Sequence, residues 1–435
     1  MRKKKTCLAG FCCALFLAWS TLGWAQEVEA KKWFKGNLHT HSLWSDGDDF
    51  PEMISDWYAG HDYQFLALTD HNVLGTEVRW MKHAEIERRG GPDALAKYRA
   101  RFGEDWVQER GTPGAEDHEI ALRPLSEFRV RLEQAEKFLL VPGEEISDAV
   151  GRLPIHLNAT NLTEVLPPAR GESVREAIAN NVRAAADQAQ RSGRQILVHL
   201  NHPNFGWAIT PEDLAFVAEE RFFEIYNGHP SVHQLGDETR PGLELFWDIA
   251  NTLRIDRFAS PPLFGLGTDD SHNYHDVKGA TPGRGWIEVR ADKLEADALI
   301  SAIHRGDFYA SSGVTLRDVR FDRNTRQLQL EIEPQDGVEF TTKFIGTPQD
   351  YNRTWPAATD SEGRVLTVQE RYCPKIGTVF KTETGLAPSY QLTGEELYVR
   401  AVVTSSRLHP NPSLENQTEQ AWTQPVGWEH RLDPR

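Results

Sequence analysis

The chain has 435 residues, of which 39% are hydrophobic and 26% are charged, so it can bury a core and general disorder is excluded. Its 64 acidic residues outnumber its 48 basic residues and give a formal charge of −16. Proteins that bind nucleic acid by neutralising phosphates need the opposite sign, so no nucleic-acid partner is expected. A chain of this length predicts one large domain and one smaller domain.

The first 25 residues have the pattern of a secretory signal peptide. A basic start at residues 2–5 precedes an apolar run at 8–22, and Gly23 and Ala25 place small residues at a cleavage site. This pattern predicts cleavage near Ala25 and export, with a periplasmic or secreted mature protein. The run is too short for a comfortable membrane span and no later run is long enough, so no stable membrane insertion is expected.

Cysteine usage is compatible with export without disulfides. Three of the four cysteines lie in the predicted signal peptide, and only Cys373 follows it. The mature chain therefore has no intrachain disulfide and must be stabilised by its core, with a contribution from any bound metal.

Short apolar runs alternate with amphipathic segments from Trp33 to about Val314. The pattern predicts an α/β fold with parallel strands, a barrel or a near relative, over residues 26–314. A capping box at Ser173 and Glu176 opens one helix, which stops at Gly193. In chain order the predicted elements are strand 35–39, helix 51–60, strand 64–69, helix 173–192, strand 195–200, helix 211–219, strand 222–226, helix 243–253, strand 263–266, helix 293–305 and strand 308–310.

Two regions depart from this alternation. Residues 76–137 carry many charges at helical spacing and are predicted to be a helical insertion, either a solvated lid or a wall of the substrate pocket. Residues 315–435 are predicted to form a small C-terminal β-sandwich. Its short alternating strands are predicted at 319–321, 328–332, 340–344, 365–368 and 397–403.

Chemically active side chains cluster just beyond the predicted strands. In α/β barrels the face at the carboxyl ends of the strands holds the active site. His39 and His41 are two residues apart as the chain leaves a strand, so both imidazoles can reach one metal. The five clusters are residues 37–47, 68–72, 141–158, 198–203 and 267–273.

Six imidazoles and three carboxylates in these clusters exceed the needs of one metal. A single histidine is most simply a hydrogen-bonded structural group, but the set suits two or three divalent cations such as Zn, Mn or Fe. The set comprises His39, His41, His71, His156, His202 and His272, with Asp46, Glu145 and Asp270.

The clusters resemble the motifs of the PHP (polymerase and histidinol phosphatase) superfamily over residues 33–314. This resemblance implies a distorted (β/α)7 barrel that binds three metals. Phrases such as Leu-Asn-His-Pro at 200–203 and Gly-Thr-Asp-Asp-Ser-His at 267–272 look like an exported bacterial branch related to carbamate hydrolases.

The family pattern also implies how the ligands are shared. The first metal takes His39, His41, Glu145 and Asp270. Glu145 bridges to a second metal, held also by His156 and His202, and a third takes Asp46, His71 and His272. Family spacing selects Glu145 over Glu144, His202 over His199 and Asp270 over Asp269. Some family members have histidine where this chain has Asp46.

Other polar side chains are candidates for supporting roles. His229, which follows the strand at 222–226, is a candidate for substrate contact or general acid. His199 and Asp269 are expected beside the ligands, where Asp269 and Asp70 would orient neighbouring groups. The remaining candidates for such support are Asn201, Asn227 and Asn273.

The resulting hypothesis is an exported metal-dependent hydrolase of a small, anionic substrate, most simply a phosphoesterase that uses a metal-bridging hydroxide. One alternative is that the same centre hydrolyses a carbamate, carboxylic ester or amide. A pair of basic side chains in the pocket would favour phosphate, and Arg170, Arg175 and Arg284 are available. A second alternative is a non-catalytic metal-binding scaffold, which lost ligands would favour. The sequence does not determine the oligomeric state.

Overall fold

A mixed sheet of 13 strands organises the protein in a computed structural model that describes residues 31–275, 278–354 and 372–432. The predicted signal peptide and the predicted strand at 365–368 lie outside these residues. The strands are β1 (Lys32–Asn37), β2 (Phe65–Leu68), β3 (Arg79–Lys82), β4 (Glu109–Arg110), β5 (Glu119–Leu122), β6 (Leu139–Val150), β7 (Leu153–Thr160), β8 (Leu197–Leu200), β9 (Phe222–Asn227), β10 (Phe264–Thr268), β11 (Trp286–Ala291), β12 (Phe308–Ser311), β13 (Leu316–Asp322), β14 (Gln327–Ile332), β15 (Phe340–Pro348), β16 (Thr378–Thr384), β17 (Ser389–Gln391), β18 (Glu396–Leu408) and β19 (Thr418–Thr423).

Several helices pack against strands of this sheet. The longest begins after Ser173, whose Oγ accepts from Glu176 N, and ends at Gly193 in the left-handed conformation, as the sequence predicted. The helices are α1 (Pro51–Ala59), α2 (His83–Gly90), α3 (Ala94–Phe102), α4 (Leu125–Leu132), α5 (Val174–Ser192), α6 (Pro211–Phe216), α7 (Leu243–Asp256), α8 (Ala296–His304) and α9 (Glu429–Leu432). Those that pack against strands of the large sheet include α1, α5, α7 and α8.

Six strands of the large sheet, β1, β2, β6, β8, β9 and β10, run in one direction. Parallel ladders join β1 to β2, β2 to β6, β8 to β9 and β9 to β10, while antiparallel β7 lies between β6 and β8. We call the edge formed by their carboxyl ends the carboxyl edge. The predicted α/β class is confirmed. The closed barrel stays a prediction, although a parallel bridge between Thr40 and Ser271 joins the segments that follow β1 and β10.

The β6–β7 hairpin rises above the carboxyl edge. Leu68, the last residue of β2, pairs with Pro142, so the second half of β6 extends beyond its parallel neighbour. That half pairs with β7 from Gly143–Thr160 to Val150–Leu153. The sequence clusters did not predict this long hairpin, which places Glu145 and His156 above the ends of the shorter strands.

The insertion at 76–137 is not purely helical, because residues 79–82 form strand β3 instead of the predicted helix. Residues Arg79 to Lys82 pair with Leu122 to Glu119 of β5, and β4 completes a three-stranded sheet. Cross-strand partners nearly 40 residues away outweigh the local helical spacing of this charged segment. The helical part of the prediction holds for α2, α3 and α4.

The large sheet continues without interruption into the C-terminal region. Strand β12 pairs with β19, which leads through β18 and β15 to β16. A second sheet of β13, β14 and β17 shares a core with these strands, in which Leu328 and Leu330 are buried with Phe344 and Val399. The predicted boundary between residues 314 and 315 stays a prediction. Within the described ranges, no helix has the length and apolar character needed to cross a bilayer.

Candidate metal centre

Side chains from six strands meet at the carboxyl edge. The strands that run in one direction end there, so residues just beyond β1, β2, β8 and β10 come together, and the β6–β7 hairpin adds two more from above. All nine side chains that the sequence named as metal ligands lie in this group, which forms overlapping sets whose nitrogen and oxygen atoms lie within 4.8 Å of one another.

Glu145 is at the centre of the group and is almost completely buried. Its Oε2 lies 2.7 Å from His71 Nδ1, and its Oε1 lies 3.0 Å from His156 Nδ1. A single carboxylate therefore lies close to several imidazoles at once. The other imidazole nitrogens near this carboxylate are His39 Nε2 at 3.5 Å, His41 Nε2 at 3.4 Å and His202 Nε2 at 3.5 Å.

Asp270 faces the same imidazoles from the opposite side. Its Oδ1 lies 3.2 Å from both His39 Nε2 and His41 Nε2, and its Oδ2 lies 3.9 Å from His202 Nε2. The spacing of two residues between His39 and His41 thus brings both rings close to Glu145 and Asp270.

Asp46 forms the outer part of the group, on the turn that follows His41. Its carboxylate lies 3.4 Å from His71 Nε2, 3.4 Å from His272 Nε2 and 3.5 Å from His41 Nδ1. The Asp46 side chain is 55% exposed, whereas those of Glu145 and Asp270 are 1% and 7% exposed. The group therefore has a dry inner part and an outer part that opens to solvent.

The donor atoms fit divalent cations. The Nε2 atoms of His39 and His41 are buried and make no hydrogen bond to any described residue, although carboxylate oxygens surround them. Buried polar atoms without partners are rare and destabilising. Imidazole nitrogens that converge on carboxylates are the ligands that zinc, manganese and iron take in proteins. The residues present are therefore suited to hold such ions.

Hydrogen bonds on the opposite ring nitrogens fix how these imidazoles point. His39 Nδ1 lies 2.6 Å from Glu224 Oε1, and His272 Nδ1 lies 2.8 Å from the carbonyl oxygen of Asp270. Both contacts leave Nε2 directed into the cluster. Partners of this kind fix the tautomer and orientation of metal-binding histidines.

Glu224 was not singled out from the sequence. It lies in β9, is fully buried, and accepts hydrogen bonds from Thr268 Oγ1 at 2.7 Å and from the backbone N–H of His202 at 2.8 Å, besides its contact with His39. One signal was available, since an acid inside the apolar run Phe-Phe-Glu-Ile-Tyr needs a buried polar partner.

Two predicted supporting asparagines contact the central carboxylates. Asn201 Nδ2 donates to Glu145 Oε1 at 2.8 Å, and Asn227 Nδ2 donates to Asp270 Oδ2 at 3.0 Å. Asp70 instead shapes the turn that carries Asp46, because it accepts from the backbone N–H of Ser42 and from the hydroxyls of Ser42 and Ser45.

Other predicted supporting residues lie further from the cluster. The Asp269 carboxylate faces away and accepts from Tyr58 Oη and from the backbone N–H groups of residues 283–285, and burial raises its pKa. His199 is buried behind Glu224, with Nε2 3.6 Å from Glu224 Oε1. Asn273 Nδ2 donates to Asp48, outside the cluster.

His229 lies at the rim, with its ring centroid 5.3 Å from that of His272. Its Nδ1 accepts from the backbone N–H of Ser231 at 3.1 Å, and burial lowers its pKa although Asp270 opposes this shift. The neutral ring therefore carries its proton on Nε2 and can donate a hydrogen bond from that atom.

The three arginines considered as phosphate contacts are engaged elsewhere. Arg170 pairs with Asp148 at 2.9 Å, and Arg175 pairs with Asp213 at 2.8 Å. Arg284 donates through Nη1 to the carbonyl oxygens of Gly228 and Gly279. The guanidinium contacts of these three residues are thus directed at neighbouring protein groups.

The electrostatics of the cluster favour cations. Burial opposes ionisation of Glu145 and Asp270, but the surrounding histidines hold the pKa of each carboxyl well below its usual range. Burial and the neighbouring His272 lower the pKa of His41 to about 4, whereas Glu145 and Asp46 outweigh burial and raise the pKa of His71 to about 10. Metal binding at these ligands must therefore release protons.

Strained backbone accompanies the site. His202 has φ of 23° and Asp270 has φ of 49°, and Asn72, next to His71, has φ of 52°. Such conformations cost about 1–3 kcal/mol each and persist where the surrounding structure enforces them. Here they occur at two of the cluster residues and beside a third.

Comparisons with known proteins find only distant structural similarities. No family model and no curated protein matches the chain. Among solved structures, a two-domain protein from Bacteroides vulgatus, described as containing a PHP-like metal-dependent phosphoesterase, is similar with 16% identity and a TM-score of 0.37 over 91% of this chain and 96% of that one.

Two further solved structures cover a smaller part of the chain. One is an amidohydrolase from Chromobacterium violaceum with bound sulfate and no metal, at 16% identity and a TM-score of 0.27 over 55% of this chain and 87% of that one. The other is described as a metal-dependent phosphoesterase from Bifidobacterium adolescentis, at 12% identity and a TM-score of 0.27 over 57% of this chain and 91% of that one. The side chains of the cluster are therefore the basis for inferring a function.

Proposed function

We propose that the protein is a metal-dependent hydrolase of the PHP superfamily, and that it acts on phosphate esters. The observation that carries this proposal is the position of Glu145, one buried carboxylate in contact with five imidazoles and faced by Asp270. Unsatisfied buried ring nitrogens destabilise a purely structural hydrogen-bond network, whereas a multinuclear metal site uses them as ligands.

The proposed ligand sets follow the family pattern. The inner part of the cluster would hold two ions that share Glu145, and the outer part would hold a third. The first inner ion takes His39, His41, Glu145 and Asp270, the second takes Glu145, His156 and His202, and the outer ion takes Asp46, His71 and His272.

The bound ions would supply Lewis acidity and would activate water near neutral pH. The protein contributes the geometry around them. Glu224 orients His39, while Asn201 and Asn227 hold the central carboxylates. His229, with a proton on Nε2 at the rim, is proposed to donate a hydrogen bond to the substrate or to its leaving group.

Phosphate esters are the first candidate substrates because cations gathered at one edge let an acidic protein accept an anion. The second candidate is a carbamate, carboxylic ester or amide. The observation that favours it is the engagement of Arg170, Arg175 and Arg284 by other protein groups. A carbon-centred neutral substrate has no phosphate oxygens that need such guanidinium contacts.

We also propose that the protein is exported after cleavage near Ala25 and works in the periplasm or outside the cell. The pattern at residues 1–25 supports this proposal. The proposed division into a PHP region at 26–314 and a β region at 315–435 follows the change of sequence pattern. Amino-terminal sequencing of protein recovered from the periplasm and medium tests the cleavage site.

The test of function combines metal analysis with a substrate panel. Purified protein, reconstituted with Zn²⁺, Mn²⁺ or Fe²⁺, is assayed on aryl phosphate monoesters and diesters and on aryl carbamates and acetates. We expect two or three metals per chain and turnover of phosphate esters. His39→Ala and Asp270→Ala should lose both, while His61→Ala, at an exposed histidine in the turn after α1, should keep both.

Other outcomes separate the alternatives. Bound metal with turnover of carbamates or acetates alone would replace the phosphoesterase proposal with the carbon-centred one. Bound metal with no turnover in the whole panel would favour the binding scaffold. Failure to bind any metal would contradict all three readings.

A further inference from the structure

The segment between β18 and β19, residues 409–417, reaches from the C-terminal region to the metal centre. We call it the β18–β19 connection. It contacts two loops at the carboxyl edge: residues 279–285, which bond to Asp269 and His272, and the end of β9, which leads to Asn227 and His229.

Asn411 makes the central contacts of this connection. Its Oδ1 accepts from Thr281 Oγ1 at 3.0 Å and from Arg284 Nη2 at 3.3 Å, and its Nδ2 donates to the carbonyl oxygen of Pro282 at 2.9 Å. One half-buried amide thus bonds three of four consecutive residues, and it uses its acceptor and its donor to do so. The amide fixes the conformation of this part of the 279–285 loop.

The 279–285 loop in turn supports the residues of the cluster. The carbonyl oxygen of Ala280 accepts from the backbone N–H of His272 at 2.8 Å. Arg284 N donates to Asp269, the neighbour of Asp270, and Arg284 Nη1 donates to the carbonyl oxygen of Gly228, the neighbour of His229. A shift of this loop would therefore move the outer ligand His272 and the rim residue His229 together.

The same connection also holds the end of β9. Ser413 Oγ lies 3.1 Å from Tyr226 Oη, and Gln417 Nε2 donates to Tyr226 Oη at 2.9 Å. Tyr226 directly precedes Asn227, which donates to Asp270. Two loops, one bonded to the outer ligand His272 and one leading to Asn227 beside the inner ligand Asp270, are consequently tied to one segment of the C-terminal region.

We propose that Asn411 is a positioning residue of the metal centre, through which the C-terminal region sets the place of His272 and His229. This inference rests on the proposed function, because Asn411 can position metal ligands only if the cluster binds metal. The C-terminal region is then part of the working site, and the affinity of the outer metal depends on it more than that of the inner metals does.

The test compares Asn411→Ala with Glu415→Ala in the full chain. Glu415 is an exposed residue of the same connection and serves as the matched control. In hydrogen–deuterium exchange of the metal-loaded protein, we expect Asn411→Ala to speed exchange of residues 268–273 and 279–285 about tenfold, with β15 and β18 unchanged. In titrations of chelator-treated protein with Zn²⁺, we expect the weakest site alone to lose affinity by about tenfold.

Asn411→Asp separates positioning from general damage. It keeps the oxygen that faces Thr281 and Arg284 and loses only the donor to Pro282, so its Zn²⁺ affinity and exchange should lie nearer to the wild type than those of Asn411→Ala. Equal exchange of residues 268–285 in Asn411→Ala and Glu415→Ala would overturn the proposal. So would an equal loss of affinity at every metal site.

The two proposals fail in different ways. If the wild type binds no Zn²⁺ and hydrolyses nothing, the proposed function fails. The exchange comparison can then be made on the metal-free protein, and it still decides whether Asn411 holds the 279–285 loop.

Discussion

Two glutamates, Glu220 just before β9 and Glu224 within it, are both buried and have pKa values shifted in opposite directions. Glu220, two residues before the strand, is 1% exposed, and burial raises its pKa to about 8 although two backbone N–H groups and Arg254 oppose this shift. Glu224, in the middle of the strand, is fully buried, yet His39 and His199 outweigh burial and hold its pKa well below the usual range.

The difference shows that burial by itself disfavours a charged carboxyl, and that the imidazoles at the carboxyl edge reverse this tendency. The site of Glu220 therefore favours a neutral acid, whereas the imidazoles around Glu224 and the carboxyl edge stabilise several carboxylate anions side by side. Concentrated negative charge that faces buried ring nitrogens is suited to cations, which is consistent with the candidate metal centre at this edge.

The largest effect is expected from Glu145→Gln, which removes the charge shared by five imidazoles. The variant should bind fewer inner metals than the wild type, and turnover should fall by about three orders of magnitude or more, because Lewis-acid stabilisation is worth several kcal/mol. Metal analysis by mass spectrometry and steady-state kinetics measure these losses. Full metal content in Glu145→Gln would contradict a bridging role.

Glu224→Gln sharpens the comparison within β9. The amide cannot keep both oxygens as acceptors for His39, Thr268 and the His202 backbone, so the affinity of the inner metals should fall by about 10- to 100-fold. Zn²⁺ titration of chelator-treated protein measures this change. The matched control is Glu220→Gln, the same substitution at the buried glutamate just before β9, which should leave metal affinity unchanged. Equal losses of metal affinity in Glu224→Gln and Glu220→Gln would contradict the proposed difference between these two glutamates.

Asp46→Asn tests the solvent-exposed part of the cluster. The Asp46 side chain is 55% exposed, so its electrostatic contribution is screened more than that of Glu145. We expect about a tenfold loss of affinity for one metal per chain, with the inner pair retained. Stoichiometry from isothermal titration distinguishes this result from loss of every metal, which would place Asp46 in the inner site.

The smallest effect concerns Glu220 and stability. Its folded pKa of about 8 lies above its ordinary value, so the native state binds the extra proton between these pH values and its stability falls as pH rises through that window. Glu220→Gln should be nearly neutral at pH 5 and should stabilise by about 2 kcal/mol at pH 8.5.

Urea unfolding of both proteins at saturating metal, at pH 5 and pH 8.5, measures this difference. Glu219→Gln provides the control, because that side chain is 42% exposed and is paired with Arg183. A gain for Glu220→Gln that does not depend on pH would show that packing, and not ionisation, sets the effect.

Much of the fold was predictable where local patterns are strong. The apolar runs that became β2, β8, β9 and β12 lie at the predicted places, and α1, α5 and α7 do too. The strand at 79–82 was missed because its partner in β5 is distant in sequence. The antiparallel pairing of β1 with β11 likewise depends on residues more than 250 positions apart.

The meeting of seven ligand candidates was predictable because each lies just beyond a strand end, and such positions share an edge once parallel strands align. The other two, Glu145 and His156, lie within the β6–β7 hairpin, whose reach above that edge the sequence did not predict. The role of Glu224 in orienting His39 was not predictable, nor were the carbonyl contacts of Arg284 or the reach of Asn411. These depend on side chains from separate strands and loops, whose distances local sequence does not encode.

The sequence by itself determined the chemistry available to this protein: six imidazoles and three carboxylates at strand ends, an acidic surface, and a single cysteine beyond the amino-terminal segment. Only the tertiary structure decided which of these groups meet, which face is dry, and which loop supports it. The physical reason is that residue type and spacing set local conformation and charge, whereas contacts between distant segments depend on how the whole chain packs.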